Sequence, residues 1–385
     1  MNLNRPIYLD NLATTPVDPR VLKEMLPYFN EKFGNEGSTT HLYGWEAKES
    51  VEIARERISK LINCDVNEIY FTSGATESIN LALKGIAYSS QNNRKHIISF
   101  STEHKATLDV CKKLEEDGCD ITYISVKSNG MVDIDDIKEA ITPNTFLITI
   151  LHANNEIGNI YPVKEIGYLC KENNILLHVD GAQSVGKIKC DVQDMYVDML
   201  SFSSHKIYGP KGIGGLYIKK DNSKLKIESI LHGGGQENGI RPGTLAVQNI
   251  VGFGKACDIC ITDMDDDNNK ILELRNVLLS GLKSSISNLK INGDLNHRVS
   301  GNLNITIPNI NNSSLMMSLR DIAISNGSAC TSKSIEPSHV LRAIGLTKEQ
   351  ANSSIRFGIG RFNTKDEIDY TIKKIIETMN KIRGS

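Results

Sequence analysis

The segment "SFSSHKIYGPKG", residues 201–212, places Lys206 directly after Ser203 and His205, with Gly209, Pro210 and Gly212 close behind. A lone lysine after a strand is ordinarily a solvated surface group. A lysine flanked by compact donors and followed by a rigid Gly-Pro turn suits a Schiff-base nucleophile, with Ser203 and His205 able to reach a phosphate. A second segment, "LLHVDGAQSVGKI" at 176–188, ends an apolar run in Asp180 and continues through Gly181, Gln183, Gly186 and Lys187. Its G-x-x-x-x-G-K comes close to a nucleotide-binding P-loop. A P-loop needs a hydroxyl at the next position to meet Mg²⁺, and Ile188 stands there. The following "KIKCDVQDM" also lacks a clean helix pattern, so Asp180 closes its strand for other chemistry. A third segment, "FTSGATES", sets Gly74, Ala75 and Thr76 between a strand and a helix. That is either an ordinary helix start with Glu77 in its first turn, or a phosphate site made by free N–H groups and the helix dipole.

An imine-forming lysine, a carboxylate for a ring nitrogen and a phosphate cradle are together what pyridoxal phosphate requires. The carboxylate keeps the pyridine nitrogen protonated, so the ring can accept electrons from a carbanion.

The elements that must position these groups follow from periodicity. Between residues 67 and 220, "EIYFTS", "HIISFS", "ITYISV", "FLITILH", "ILLHVD", "DMLSFS" and "GGLYIKK" read as strands. Amphipathic segments such as "TESINLALKGIAY", "ATLDVCKKLEED", "DIDDIKEAI" and "VKEIGYLCKEN" separate most of them. Such alternation predicts an α/β fold with a mostly parallel sheet covered by helices on both faces. Ligands of such sheets gather at the carboxyl ends of the strands. Near residue 250 the pattern changes to a long helix, from "NIVGFGKACDICI" through "ILELRNVLLSGL". It leads into "GNLNITIP", "SSIRFGIG" and a closing helix "DEIDYTIKKIIETMNKI". We expect a large domain over 15–250 and a smaller α+β domain built from 1–14 and 251–385.

With 44 basic and 46 acidic residues the net charge is −2, and no long basic run marks nucleic acid as a direct partner. No window approaches a membrane-spanning apolar run. The start "MNLNRPIYLD" has neither a signal core nor a presequence pattern, and eight cysteines in so long a chain do not make a disulfide framework. A reducing, cytoplasmic setting is expected. The acidic cluster "DMDDDNN" at 263–269 reads as a solvated helix start. Cys257 and Cys260 form a C-x-x-C inside a helical pattern, with no second pair or nearby histidine, which favours helix packing over metal binding. No resident metal site is expected. "HGGGQENG" at 232–239 departs from G-x-G-x-x-G at Asn238 and reads as a loop shaping the site by close backbone approach.

The chain resembles the cysteine desulfurases of the IscS/NifS type, class-V aminotransferases within the fold-type I pyridoxal-phosphate enzymes. The resemblance runs nearly end to end. It is carried by "YLDNLATTPVDPRV", "FTSGATES", "STEHKATLD", "NNEIG", "VDGAQSVGK", "SSHKIYGPKGIGG", "GGGQENGIRPGT", "GSACTSKSIEPSHVLRAIG" and "SSIRFGIGRF", in that order. It implies a seven-stranded large domain and a homodimer. It also implies a reaction that turns L-cysteine into L-alanine and a persulfide on Cys330. By this likeness Lys206 bonds the cofactor and moves the substrate's α-proton, Asp180 pairs with the ring nitrogen and Gln183 meets the ring's 3-hydroxyl. His104 stacks on the ring and shuttles protons, while Ala75, Thr76, Ser203 and His205 hold the phosphate. Thr244 reaches the phosphate of the other subunit, Asn155 contacts both cofactor and substrate, and Arg356 binds the substrate by its carboxylate. Cys330 sits among small residues suited to a mobile loop, with Lys333 nearby to favour its thiolate. The implied partners are an iron–sulfur scaffold and other sulfur-acceptor proteins, with tRNA thiolation a further sink. The persulfide would meet iron or a cluster only in transit.

Three departures stand out. Asn35-Glu36-Gly37 replaces the usual Asn-Pro loop start, and Asn238 stands where relatives often carry arginine. Longer relatives continue beyond the position of "KIRGS" with a scaffold-docking tail, so the resemblance carries the sulfur chemistry further than the docking. A selenocysteine lyase or another class-V enzyme keeps the same fold and cofactor. A plain aminotransferase needs no loop cysteine. A catalytically silent binding partner is the alternative outside enzymes.

Overall fold

The computed structural model describes residues 5–89, 94–220, 222, 225–310, 312–326 and 337–384. Cys330, Gly327 and Lys333 lie outside the described residues. In chain order the first elements are β1 (Ile7–Tyr8), α1 (Pro19–Met25), α2 (Pro27–Asn30), α3 (Leu42–Ile62), β2 (Ile69–Thr72) and α4 (Ala75–Ala87). There follow β3 (His96–Phe100), α5 (Lys105–Glu116), β4 (Asp120–Ile124), α6 (Ile134–Ala140), β5 (Thr145–Leu151) and α7 (Val163–Asn173). Next come β6 (Leu176–Asp180), β7 (Met199–Ser203), β8 (Gly214–Ile218) and the 39-residue α8 (Val247–Ser285). The chain closes with β9 (Lys290–Ile291), β10 (Asn302–Thr306), α9 (Asn312–Ser318), β11 (Ile322–Ala323), α10 (His339–Ala343), α11 (Lys348–Ala351), β12 (Ser354–Gly358) and α12 (Lys365–Gly384).

The seven expected strands form one sheet in the order β2-β8-β7-β6-β5-β3-β4. All pairings are parallel except those of β8, which runs antiparallel to both neighbours. Every residue of β3, β5, β6, β7 and β8 is buried, which is why those strands read as near-continuous apolar runs. Edge strand β4 alone among the seven is largely open to solvent. Neighbouring side chains alternate between two packed layers. Ile97, Met199 and Leu216 join the core under α4 and α5, and Ile98, Leu200 and Tyr217 join the core that holds α3, α7 and the start of α8. His178 is the polar exception inside the sheet. Its ring bonds Thr149 Oγ1 at 2.8 Å on β5 and Ser201 Oγ at 2.9 Å on β7, and burial lowers its pKa to about 3. It is a satisfied, neutral structural histidine.

A separate apolar core gathers around the antiparallel sheet β12-β10-β9 and α12. Ile7 and Leu9 join it, and β1 pairs with β11 in parallel, so the chain's start packs against the late elements. Helix α8 serves both cores, with Ile250 to Cys260 in the first and Ile271 to Leu282 in the second. The acidic cluster 263–269 is therefore not a helix start. It is the middle turn of α8, where the helix crosses between cores. There Asp263 accepts from Arg20 Nη1 at 2.8 Å and Asp267 from Arg361 Nε at 2.7 Å. Cys257 and Cys260 are buried in helix packing, and no cluster of metal-ligating side chains exists among the described residues. No helix among the described residues is long and apolar enough to cross a membrane.

Candidate active site

Five of the six strands that end on the carboxyl side of the sheet, all but edge strand β4, deliver chemical groups there. Strand β2 runs into Ser73 to Thr76, β3 into His104, β5 into Asn155, β6 into Asp180 and Gln183, and β7 into Ser203, His205 and Lys206. These groups line one cavity of about 490 Å³, closed from the other core by Arg356 of β12 and by Pro337 to His339.

Lys206 projects from a single turn after β7, and its Nζ donates to the carbonyls of Leu12 and Ala13 at 2.8 and 2.7 Å. Asp180 is 2 % exposed and accepts the Ala182 N–H at 2.9 Å. Burial raises its carboxyl pKa, opposed by His104, by the Ala182 N–H and by Lys206. His104 caps α5 by accepting the Ala106 N–H on Nδ1 at 3.1 Å, which leaves its neutral ring the Nε2–H tautomer. Burial lowers its pKa, aided by Lys206 and His339 and opposed by Asp180 and Asp109. Gln183, 2 % exposed, donates from Nε2 to Leu12 O at 2.8 Å and accepts from Lys187 Nζ at 2.6 Å.

A phosphate fits the opposite wall. Helix α4 starts at Gly74, which has no side chain to cap it and a backbone φ of 152°. Its first N–H groups face a cavity also lined by Ser203 and His205. A side chain at Gly74's neighbour across the sheet, Gly214, would place a Cβ 2.6 Å from Gly74 Cα, so two glycines bring the helix start against β7 and β8. Glu77 in the first turn accepts the Ser73 N–H at 2.7 Å and pairs with Arg241 at 2.7 Å, which compensates its charge. His205 is a neutral donor here, because burial and then Lys206, Lys211 and Lys187 lower its pKa to about 4. Its Nδ1 meets Thr14 Oγ1 at 3.0 Å. The donor set, the buried acid and the amine suit a phosphorylated pyridine aldehyde.

Arg356 is 2 % exposed and already engaged: Nη1 donates to Asn155 O at 2.9 Å and Nη2 to Asp10 Oδ1 at 2.7 Å. Its Nε is buried without a hydrogen-bond partner, so the fork retains donors for a carboxylate. Thr244 is exposed and lies outside this cavity. Segment 232–239 does not line the cavity either. Gly235 and Gly239 sit at φ 83° and 79° with open space around them, so backbone conformation, and not close approach, calls for glycine there. Asn238 in the same segment takes φ 56°. Glu237 beside it anchors the segment through Arg55 at 2.8 Å and Phe71 N at 2.7 Å.

Four participants had no functional signal in the sequence reading. Leu12 and Ala13 act through backbone carbonyls, which carry no residue-type signature. Glu156 is fully buried beside Arg356 and bonds Ser338 Oγ, and its carboxyl pKa is raised to about 7 by burial. His339 donates from Nε2 to Glu103 O at 2.9 Å, bringing the start of α10 to the cavity mouth. The last two stand in "NNEIG" and "EPSHVL", segments already singled out for their neighbours.

The class-V aminotransferase family model ("Aminotransferase class-V") matches residues 7–371. The chain is 52 % identical over 379 residues to a probable mitochondrial cysteine desulfurase of Dictyostelium discoideum, covering 98 % of this chain and 84 % of that one. It is 50 % identical over 380 residues to the cysteine desulfurase IscS of Shewanella sp. (strain MR-4), covering 98 % and 94 %. A solved NifS-like protein superposes with a TM-score of 0.91 at 38 % identity, covering 97 % of this chain and 99 % of that one. The sheet and its cavity have the fold-type I architecture. The chain belongs to the class-V aminotransferase family, whose cofactor is pyridoxal phosphate.

Proposed function

We propose that the chain is an L-cysteine desulfurase that releases L-alanine and carries the sulfur as a persulfide on Cys330 before passing it to acceptor proteins. The observation that carries this reading is one cavity that gathers Lys206, Asp180, Gln183, His104 and an uncapped helix start from four strand ends. It does so in a chain half identical to proteins named cysteine desulfurases. Bound pyridoxal phosphate supplies an electron sink for the substrate's α-carbon. The protein does the rest. Asp180 keeps the ring nitrogen protonated, Gln183 meets the 3-hydroxyl, and Ala75, Thr76, Ser203 and His205 hold the phosphate. Asn155 and Arg356 orient the substrate, and Lys206 takes and returns its α-proton, with His104 as a second proton carrier. The Cys330 thiolate forms a bond to the substrate's γ-sulfur. The carbon–sulfur bond breaks with its electron pair left on the β-carbon, and a proton delivered there completes alanine.

The test is sulfide release from L-cysteine in the presence of a thiol reductant. Cys330→Ala is expected to abolish it, and Lys206→Ala to remove both turnover and the yellow colour of the purified protein. Full turnover in Cys330→Ala would sink the persulfide route. Full colour and turnover in Lys206→Ala would sink the site assignment.

The same reading includes a homodimer in which Thr244 serves the partner's phosphate. Phe29, Phe33, Leu42, Tyr43 and Trp45 are each at least half exposed on α2, α3 and the segment between them, an apolar surface suited to a second copy. It also includes two domains, 15–250 and 1–14 with 251–385, supported by the two cores that share α8. The proposed setting is the cytoplasm, with iron–sulfur scaffold and tRNA-thiolation acceptors as the sulfur sinks.

A further inference from the structure

Lys187, which gave the sequence its P-loop look, has no part in the chemistry above. Its surroundings are nevertheless specific. Its Nζ donates to Gln183 Oε1 at 2.6 Å, while Gln183 Nε2 donates to Leu12 O at 2.8 Å, the carbonyl that also accepts Lys206 Nζ at 2.8 Å. These contacts allow one orientation of the Gln183 amide. Turned over, it would set its oxygen against the Leu12 carbonyl, and its NH₂ against the Lys187 amine, a repulsive contact whenever that amine is charged. Lys187 is itself pinned, since its N–H donates to Ser184 O at 2.9 Å and its carbonyl accepts Asn268 Nδ2 of α8 at 2.7 Å. Keeping the amine there is costly: burial, with Lys206 and Arg356, lowers its pKa to about 7, and Cys260 opposes them. A methionine would fill the same space without that cost, so the amine's hydrogen bond is what its place in the fold explains.

We propose that Lys187 is a positioning residue that locks the Gln183 amide with its NH₂ toward the cavity, making Gln183 a hydrogen-bond donor to the 3-oxygen of the bound cofactor. This rests on the role given to Gln183 under the proposed function. Of the two Nε2 hydrogens one goes to Leu12 O, and the second is the one offered to the ring oxygen. A donor at that oxygen stabilises its anionic form. The proton beside it therefore leaves at lower pH, and losing the donor raises the pH midpoint of the cofactor's visible band.

The experiment is a spectrophotometric pH titration of the purified holoenzymes. Lys187→Met is expected to raise the midpoint by about one unit, a tenfold change in the proton equilibrium. Lys187→Arg, which keeps a charged donor, should restore it. Lys187→Leu, which likewise cannot donate, takes the place of the methionine variant should that variant not fold. The discriminating measurement is the same substitution in a Gln183→Ala background, where an effect acting through Gln183 disappears and a direct charge effect persists. An unchanged midpoint in Lys187→Met, or an equal shift in both backgrounds, overturns the proposal. A wild-type protein with no visible cofactor band would instead overturn the proposed function itself.

Discussion

At His104 the ring nitrogen that caps α5 is committed to the Ala106 N–H, so proton exchange with anything in the cavity falls to Nε2. Because burial leads the lowering of its pKa below the ordinary 6.5, the neutral ring persists at pH 6.5 and protonates only further into acid. Nitrogen-15 NMR of the cofactor-free protein checks this: a His104 ring half-protonated at or above pH 6.5 would contradict it. His104→Ala should lower kcat by about 10²- to 10⁴-fold, the usual range for a lost proton carrier. Lys333 offers a second prediction at this scale. If it favours the Cys330 thiolate, Lys333→Ala slows alkylation of Cys330 at neutral pH, and an unchanged rate removes that role.

The turn after β6 shows how an element, and not a motif, decides what its residues do. Gly181 to Lys187 matches a phosphate-binding spacing, yet the turn serves to swing Gln183 to the cavity floor and Lys187 behind it. Gly186 makes this possible: it sits at φ 72°, and a Cβ there would lie 2.8 Å from Cys260 Sγ on α8 and 2.9 Å from Ile207 Cγ2. Gly186→Ala combines a left-handed backbone with overpacking, and is expected to cost about 2–4 kcal/mol. Urea denaturation of the holoenzyme measures it, with weaker cofactor retention as the functional counterpart. A loss below about 0.5 kcal/mol would mean that α8 yields to the turn.

Across the whole molecule, Arg361 joins parts that the sequence keeps far apart. Following β12, it reaches Asp18 at the start of α1 at 2.8 Å and Asp267 in mid-α8 at 2.7 Å, with its guanidinium over the Tyr208 ring at 4.4 Å. Arg361→Ala leaves the buried Asp18 with Arg20 as its remaining partner, so a loss of about 3 kcal/mol is expected, at the lower end for a broken buried pair. Burial pushes Asp18 up, but the hydrogen bonds from Arg20 and Arg361 outweigh it and hold its pKa at about 2, below the ordinary 3.8. The stabilisation from ionised Asp18 is therefore full above pH 3.8 and is lost as pH falls through about 2. The stability gap between wild type and Asp18→Asn should close over that window, and a gap that stays constant through it would show that Asp18 is not the titrating group.

The sequence by itself determined the strands, because burial on both faces demands apolar runs that periodicity exposes. It also determined the groups that stand at strand ends, because Lys206, Asp180, Gln183 and the Gly74 turn are coded by residue type within short segments. What only the tertiary structure decided depends on long-range contact. The Leu12 and Ala13 carbonyls that hold Lys206 belong to backbone, which any residue would supply. The acidic cluster 263–269 became the middle of α8 because two cores share that helix, and its charges met arginines remote in the chain. Segment 232–239 became a strut anchored by Glu237 instead of a wall of the site, because its place was set by Arg55 and β2. Lys187 looked like a phosphate ligand by spacing alone; the fold turned its amine onto Gln183, and neighbouring burial gave it a different task.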